Sequence, residues 1–317
     1  MVNPFSRKRI LLLISSLFLA LTIVGLIRVR FPWRPERHAR RRNITELATR
    51  VGHIQFRRQR LLQAACRHGN DRELPPEKLD HVIVDDEHKL LYCFVPKVAS
   101  TNWKRVLLSL RENRASPLTI LANQSHDPHA FRTLSQLSSA DVRYRLQHYL
   151  KFFFIRHPYE RLLSAYRNKF EHAWSDYFPK RFGRKIVRTY RSDPSAESLE
   201  SGADVTFQEF LSYVSDLDVS DDSAAFNEHW RPVSDLCFPC QLHYDVIGAY
   251  NTLEDDSNYV LWLARLHDVV SFPTRNATYS SEPTRSLMAR YYSSISTDTL
   301  RRLEKVYEMD LGLFEDG

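Results

Sequence analysis

Two stretches of the chain join a short apolar run to a proline, a basic residue and a hydroxyl-bearing helix start. They are LLYCFVPKVASTNWKRVLL (Leu90–Leu108) and YLKFFFIRHPYERLLSAYRNKF (Tyr149–Phe170). In the first, Pro96 ends a strand, Lys97 projects from the loop, and Ser100, Thr101 and Asn102 stand where a helix N-cap belongs. Free backbone N–H groups at a helix start favour an anion, and the side-chain donors add to them. In the second, Arg156 follows FFFI directly, and Pro158 suits the first helical position, where its missing N–H costs nothing. Tyr159, Leu162, Leu163 and Tyr166 form an apolar face, which leaves Glu160, Arg161, Ser164, Arg167 and Asn168 on the other side. An Arg156 fork with the Ser164 hydroxyl makes a phosphate-monoester binder. Two such mouths suit the two ends of one doubly anionic ligand. The plain alternative for the first is a strand–turn–helix corner with an exposed lysine. For Arg161 and Arg167 it is a surface salt bridge.

The elements that position these mouths follow from periodicity. Val82–Val84 and Leu90–Val95 read as strands around an Asp-Glu-His turn, and the FFFI run reads as a third. Helices are expected over Glu46–Cys66, Asn102–Leu110, Asp141–Gln147, Ala203–Val214, Leu253–Leu266 and Thr297–Met309. Buried apolar strands each followed by a helix predict an α/β fold with a central parallel sheet flanked by helices. The expected organisation is a tail over 1–9, an apolar helix over 10–27, a stem over 28–80 and a compact domain over 81–317.

Charge is unevenly spread over the 317 residues, whose formal net charge is +7. Residues 1–42 hold ten Lys/Arg against Glu36 alone, and Arg143–Arg191 holds thirteen against Glu160, Glu171 and Asp176. The rest of the domain is therefore acidic. One basic stretch in an acidic domain points to an anionic ligand or polymer at one face, with a solvated charge run as the plain alternative. No zinc-finger or RNP-type motif accompanies it, which disfavours nucleic acid.

The run Ile10–Ile27 carries no charge and is long enough to approach a membrane span. It exceeds a signal-peptide core and no small-x-small cleavage site follows, so an uncleaved signal anchor is expected. Arg7, Lys8 and Arg9 precede it, but more basic residues follow, and the positive-inside rule by count would leave the domain in the cytosol. Three sequons, at Asn43, Asn123 and Asn276, point to the lumen instead. Of the four cysteines, Cys237 and Cys240 read as a redox pair, half a zinc site or a local disulfide. The disulfide is favoured, since the spacing of Cys66 and Cys93 does not complete a zinc knuckle.

PKVASTNWKR and IRHPYERLLSAYRNKF, followed by FNEHW (Phe226–Trp230) and LCFPCQLHYDVIGAYNTLEDDSNYVL, resemble the Golgi carbohydrate sulfotransferases. The likeness is closest to the branch with chondroitin and dermatan 4-O-sulfotransferases, and it spans Cys66 to Asp310. It implies a P-loop-like sulfotransferase fold and a type II Golgi membrane protein with a lumenal domain. The donor would be 3′-phosphoadenosine 5′-phosphosulfate, with no metal, and the acceptor a sugar hydroxyl of a glycosaminoglycan or other glycan. Carried over by position, Pro96, Lys97, Val98, Ala99, Ser100, Thr101 and Asn102 would bind the 5′-phosphosulfate. Arg156, His157, Pro158, Tyr159, Glu160, Arg161, Leu162, Leu163 and Ser164 would bind the 3′-phosphate.

Lys97 would stabilise the leaving oxygen, and His126, which matches a histidine of related sulfotransferases, would be the general base. His229 and Arg167 would meet the acceptor. The chain departs from the family pattern at Ser100, commonly Cys, and at His157, commonly Glu. Its C-terminus, LGLFEDG, lacks the aromatic tail of the branch. Transfer to other glycan termini, or glycan binding without turnover, is the alternative function. A kinase-like reaction lacks both the GxxxxGK[ST] loop and a Mg²⁺ carboxylate.

Overall fold

The computed structural model describes residues 35–66, 74–217, 226–273 and 282–314, with side chains from residue 45 onward. The apolar run 10–27 lies outside them, as do the side chain of Asn43 and all of Asn276. No described helix is long and apolar enough to cross a membrane. The chain divides into two units, Met1–Glu46 and Leu47–Gly317.

The sheet has four strands in the order β1 (Val82–Asp85), β2 (Leu90–Cys93), β3 (Leu150–Ile155) and β4 (Val246–Ala249). Strands β2, β3 and β4 run parallel, in a register that pairs Cys93 with Phe153 and Ile155 with Ala249. β1 is antiparallel to β2. The sheet is therefore mixed rather than wholly parallel, because the short turn between Asp85 and Leu90 folds the chain straight back. Parallel pairing needs a crossover, which β2 to β3 obtains through helices and loops of more than fifty residues.

The labelled helices are α1 (Pro35–Ala65), α2 (Ser100–Arg111), α3 (Ser139–His148), α4 (Pro158–Tyr166), α5 (Arg184–Tyr190), α6 (Phe207–Ser215), α7 (Leu253–Leu263), α8 (Thr284–Tyr292) and α9 (Thr297–Val306). Strand β4 and helices α5 and α8 were not expected from periodicity. VIGA is only four residues long and contains a glycine, so no alternation develops in it. Gly248 is required there, because a Cβ would lie 2.2 Å from the Phe154 ring on the neighbouring strand.

Two apolar clusters support the sheet and its mouths. Around the sheet, Trp103 is fully buried against Phe152 (4.6 Å between ring centroids), Phe272 (5.4 Å) and Tyr92 (5.7 Å). A second cluster joins Leu162 and Leu163 of α4 to Phe210, Trp230 and Leu303. Each mouth thus has its helix anchored in a core of its own.

The stretch expected as stem is in part structural. From Leu47 onward α1 belongs to the compact unit. Its Gln55 accepts from the Ile247 N–H (2.9 Å) and donates to the Ile247 carbonyl (3.1 Å). Arg58 donates to the same carbonyl and to Asp256, both at 2.8–2.9 Å. These side chains occupy the open edge of β4, where a fifth strand would otherwise pair.

The expected Cys237–Cys240 bond is corrected by the structure. Cys93 bonds Cys237, and Cys66 bonds Cys240. Phe238 lies between the two cysteines in a left-handed conformation, φ 46°. This breaks the chain into two short helical pieces, and each cysteine reaches a different partner. One bond ties the end of β2 to this corner, and the other ties the end of α1 to it.

Candidate active site

The two mouths open at the C-terminal ends of adjacent parallel strands, where ligands of open α/β sheets bind. Pro96 and Lys97 follow β2, Arg156 follows β3, and Tyr250 follows β4. Arg156 joins all three. It donates to the Lys97 carbonyl (2.9 Å) and to Glu160 (2.8 Å), and its guanidinium lies 4.1 Å from the centre of the Tyr250 ring. Its Nε–H is buried with no partner, and so is Nδ1 of His157 next to it. An unpaired buried donor of a charged group is costly, which marks this corner as prepared for an anion.

The first loop is wound tightly without glycine. Lys97 and Ala99 both have left-handed backbones, φ 71° and 57°, a conformation unfavourable for residues with a side chain and concentrated at functional sites. Ala99 rather than a hydroxyl residue occupies the N-cap of α2, and no side chain caps the helix. Ser100, Thr101 and Asn102 lie in its first turn instead, so the hydroxyls add to the free N–H groups without consuming them.

Lys97 does not project into solvent. It is half-buried, and its Nζ donates to Asn168 Oδ1 at 3.0 Å. Burial, together with Lys169, Arg156 and Arg161 nearby, pushes its ammonium down to about 7. A lysine held between its charged and neutral forms by cationic neighbours gains strongly from an arriving anion.

Arg161 is neither a surface salt bridge nor a ligand-facing group. It is fully buried and donates to three carbonyls, those of Pro96 (3.1 Å), Arg231 and Glu228. It thereby ties the first loop to the FNEHW segment. Leu162 and Leu163 are core residues, and Tyr159 stacks on Tyr292 at 5.4 Å. Val98 belongs to the sheet core. Ser164 is half-buried on α4, and Pro158 holds the first helical position as expected. Arg167 is occupied by Glu171, at 3.0 Å along the same stretch, so the structure does not bring it into the mouth.

Two histidines face the first loop. His126 is exposed, and its Nε2 lies 3.1 Å from Thr101 Oγ1. Partial desolvation, with Lys104 and Lys169 nearby, holds its imidazole below the usual value. His229 is held by Asn227, whose Oδ1 accepts from both the His229 N–H (3.0 Å) and the ring Nδ1–H (2.7 Å). That contact leaves Nε2 as the lone-pair nitrogen. Burial, then Lys169 and Lys97, push the His229 imidazole down to about 2.

Sequence reasoning missed several members of this cluster. Glu228 is a carboxylate among cations. It lies 3.7 Å from His81 and 3.8 Å from His229, and it opposes the lowering of Lys104, Lys169 and His126. Asn168 and Lys169 stood in the second motif without a role, and Lys104 and Tyr250 were not singled out. No signal short of the tertiary fold joins them. Among the described residues no group of His, Cys, Asp and Glu is arranged to hold a metal ion. The sequon residue Asn123 is exposed, and its Ser125 is buried with Oγ donating to the Ala122 carbonyl (2.7 Å).

Residues 80–315 match the family described as the sulfotransferase family. Carbohydrate sulfotransferase 11 of Mus musculus is 43% identical over 245 residues, covering 77% of this chain and 69% of that protein. Carbohydrate sulfotransferase 14 of Homo sapiens is 43% identical over 236 residues, covering 74% of this chain and 60% of that protein. Carbohydrate sulfotransferase 8 of Homo sapiens is 36% identical over 266 residues, or 82% of this chain and 62% of that protein. No solved structure matches the chain.

Proposed function

The chain belongs to the sulfotransferase family and is a sulfotransferase enzyme, and we propose that its reaction moves a sulfuryl group from 3′-phosphoadenosine 5′-phosphosulfate to the 4-hydroxyl of N-acetylgalactosamine in chondroitin or dermatan. The observation that carries the donor assignment is the junction of the two mouths, where Arg156 grips the Lys97 carbonyl at 2.9 Å. One end of the donor sits on the Pro96–Asn102 loop. The other sits at the start of α4, where Arg156 Nε and His157 Nδ1 are buried and unpartnered. The names of the relatives support a carbohydrate acceptor. The 4-hydroxyl rests on the resemblance of the motifs.

In this reading the bridging oxygen leaves with the 5′-phosphate, and Lys97 with the loop N–H groups meets the charge that builds on it. His126 takes the acceptor proton, since it stands exposed at Thr101 on the rim, whereas burial holds the His229 imidazole down at about 2. His229, fixed by Asn227, orients the acceptor. We place the domain in the Golgi lumen behind the apolar helix 10–27. Two disulfides that suit an oxidising compartment support that placement.

The full chain in detergent, given radiolabelled donor and a panel of desulfated glycosaminoglycans, tests the reaction. Label is expected at the 4-position of N-acetylgalactosamine in disaccharide digests. Label confined to N-glycan termini moves the acceptor elsewhere. Donor binding with no label in any glycan refutes the proposed reaction.

The pH profile tests the two roles separately. Lys97 is depressed to about 7, so its charge is lost as pH rises through that value in the free enzyme. The donor KM should then rise with pH above about 7, approaching one factor of ten per pH unit for a single linked proton. His126 is also lowered, so the acid limb of kcat/KM should fall below the ordinary histidine value. His126→Gln should remove that limb. A limb that persists in this variant rules His126 out as the base.

A further inference from the structure

The segment between α4 and α5 carries features that donor binding does not use. Trp174 is 83% exposed and Tyr177 is 53% exposed, although an indole is ordinarily among the more buried side chains. Tyr177 is close to the reaction centre, and Trp174 lies three residues before it in the chain. Tyr177 packs edge-on against Phe178 at 5.2 Å, and the Phe178 ring lies 5.4 Å from His229. The Lys169 ammonium lies over the same Phe178 ring, 4.4 Å from its centre. Phe178 also meets Trp230 and Phe182, at 6.1 and 5.7 Å, so the segment is pinned to the second core while its tip stays open.

Beyond the tip the chain runs through Pro179–Gly183 into α5. Phe182, Ile186 and Val187 face the core. Arg181, Lys185 and Arg188 are exposed, the last two at i and i+3 on one face of α5. None of the three forms an ion pair with a described residue, whereas the neighbouring Lys180 is paired with Asp176. The result is an exposed tyrosine one ring removed from His229, an exposed tryptophan three residues before it, and a following stripe of cations without ion pairs, two of which lie over the Phe182 and Tyr213 rings. A solvated charged face accounts for the stripe alone. It does not account for a tryptophan and a tyrosine three residues apart that both stay exposed just before it, the tyrosine packed on the ring that meets His229.

We propose that Trp174 and Tyr177, with Arg181, Lys185 and Arg188, form a platform that holds a linear uronate-bearing glycan as it leads into the transfer site. The inference deepens the proposed function and rests on it. Pyranose rings present flat faces of C–H bonds, which pack on indole and phenol rings. The carboxylates along such a chain meet the cationic stripe. A short acceptor reaches only His229 and the aromatic pair, and a long one covers the whole platform.

The test uses the full chain, wild type against two multiple variants, Trp174→Ala/Tyr177→Ala and Arg181→Ser/Lys185→Ser/Arg188→Ser. Sulfate incorporation is measured into long desulfated chondroitin and into a short oligosaccharide cut from it. Equilibrium binding to immobilised desulfated chondroitin is measured in parallel. Each variant should raise the KM for the long chain about tenfold, equivalent to about 1.4 kcal/mol; the oligosaccharide KM should rise comparably in the aromatic variant and less in the triple variant. Donor KM and melting temperature should not move. Wild-type binding to the long chain should weaken with added salt, and the triple variant should flatten that dependence. An unchanged long-chain KM in both variants overturns the platform while leaving the proposed reaction standing. A wild type that labels no glycan refutes the reaction, and the binding measurement still decides the platform.

Discussion

Lys97→Ala is expected to lower kcat/KM for sulfate transfer by about 10³-fold, within the range seen when one preorganised charge-stabilising group is lost, while leaving the protein at least as stable. The two halves of that expectation have the same origin. Lys97 is wedged among Lys169, Arg156 and Arg161 and is desolvated, which pushes it down to about 7. A lysine whose folded value lies below its unfolded value destabilises the fold at low pH. That penalty fades as pH rises from about 7 toward the unfolded value, because over this interval the unfolded chain holds the extra proton.

Removing the amine removes the penalty. The backbone cost of φ 71° is similar for alanine, so it does not offset the gain. A purely structural lysine would behave in the opposite way, with lower stability and activity lost in proportion. The decisive measurement is therefore a pair, single-turnover transfer together with the melting temperature at pH 6. Retained transfer, or a fall in melting temperature of several degrees, overturns the assigned role. Lys97→Arg is a poor substitute, since a planar fork does not place a point charge where Asn168 now holds the ammonium.

The parts of the site carried by contiguous residues were legible in the sequence. Pro96, Lys97 and the Ser100–Asn102 hydroxyls lie within seven residues of one another, and so do Arg156, Pro158 and the start of α4. Apolar runs ending at a proline gave β2 and β3 for the same reason. What escaped was assembled by the fold. Arg161 falls on the polar side of its own helix and reads as solvent-facing, yet the FNEHW segment closes over it and supplies the carbonyls it needs. Glu228, Lys104 and Lys169 are single charges with no local pattern, and only their convergence gives them meaning. Gln55 looked like one polar residue of a stem, while its amide completes the edge of β4. The same limit produced the wrong cysteine pairing. Cys237 and Cys240 are neighbours in sequence, and the left-handed turn at Phe238 sends them to partners 144 and 174 residues away.

That pairing leads to the second large expected effect, the loss of stability when both disulfides are removed. The bonds are nested. Cys93–Cys237 lies inside the loop closed by Cys66–Cys240, so with one bond present the other closes a ring of only about 30 residues in the unfolded chain. By chain entropy, removing either bond alone should cost about 3–4 kcal/mol, and removing the second should cost about 5 kcal/mol, because it then opens the full loop. The double variant should therefore be less stable than the sum of the single variants by about 1–2 kcal/mol.

The two bonds should also differ in what they protect. Cys93 and Cys237 are fully buried, and Cys93 ends β2 three residues before Pro96, so Cys93→Ser/Cys237→Ser should loosen the donor loop and raise the donor KM. Cys66 and Cys240 are partly exposed and tie α1 to the corner. Their replacement should lower stability with the donor KM unchanged, and limited reductant should open this bond first, because access governs thiol attack. Urea unfolding of the four species, with donor KM measured on each, resolves both points. Additive losses would show that the unfolded chain is not constrained as a nested pair. An equal donor KM in all four would show that the Cys93 bond has no hold on the Lys97 loop.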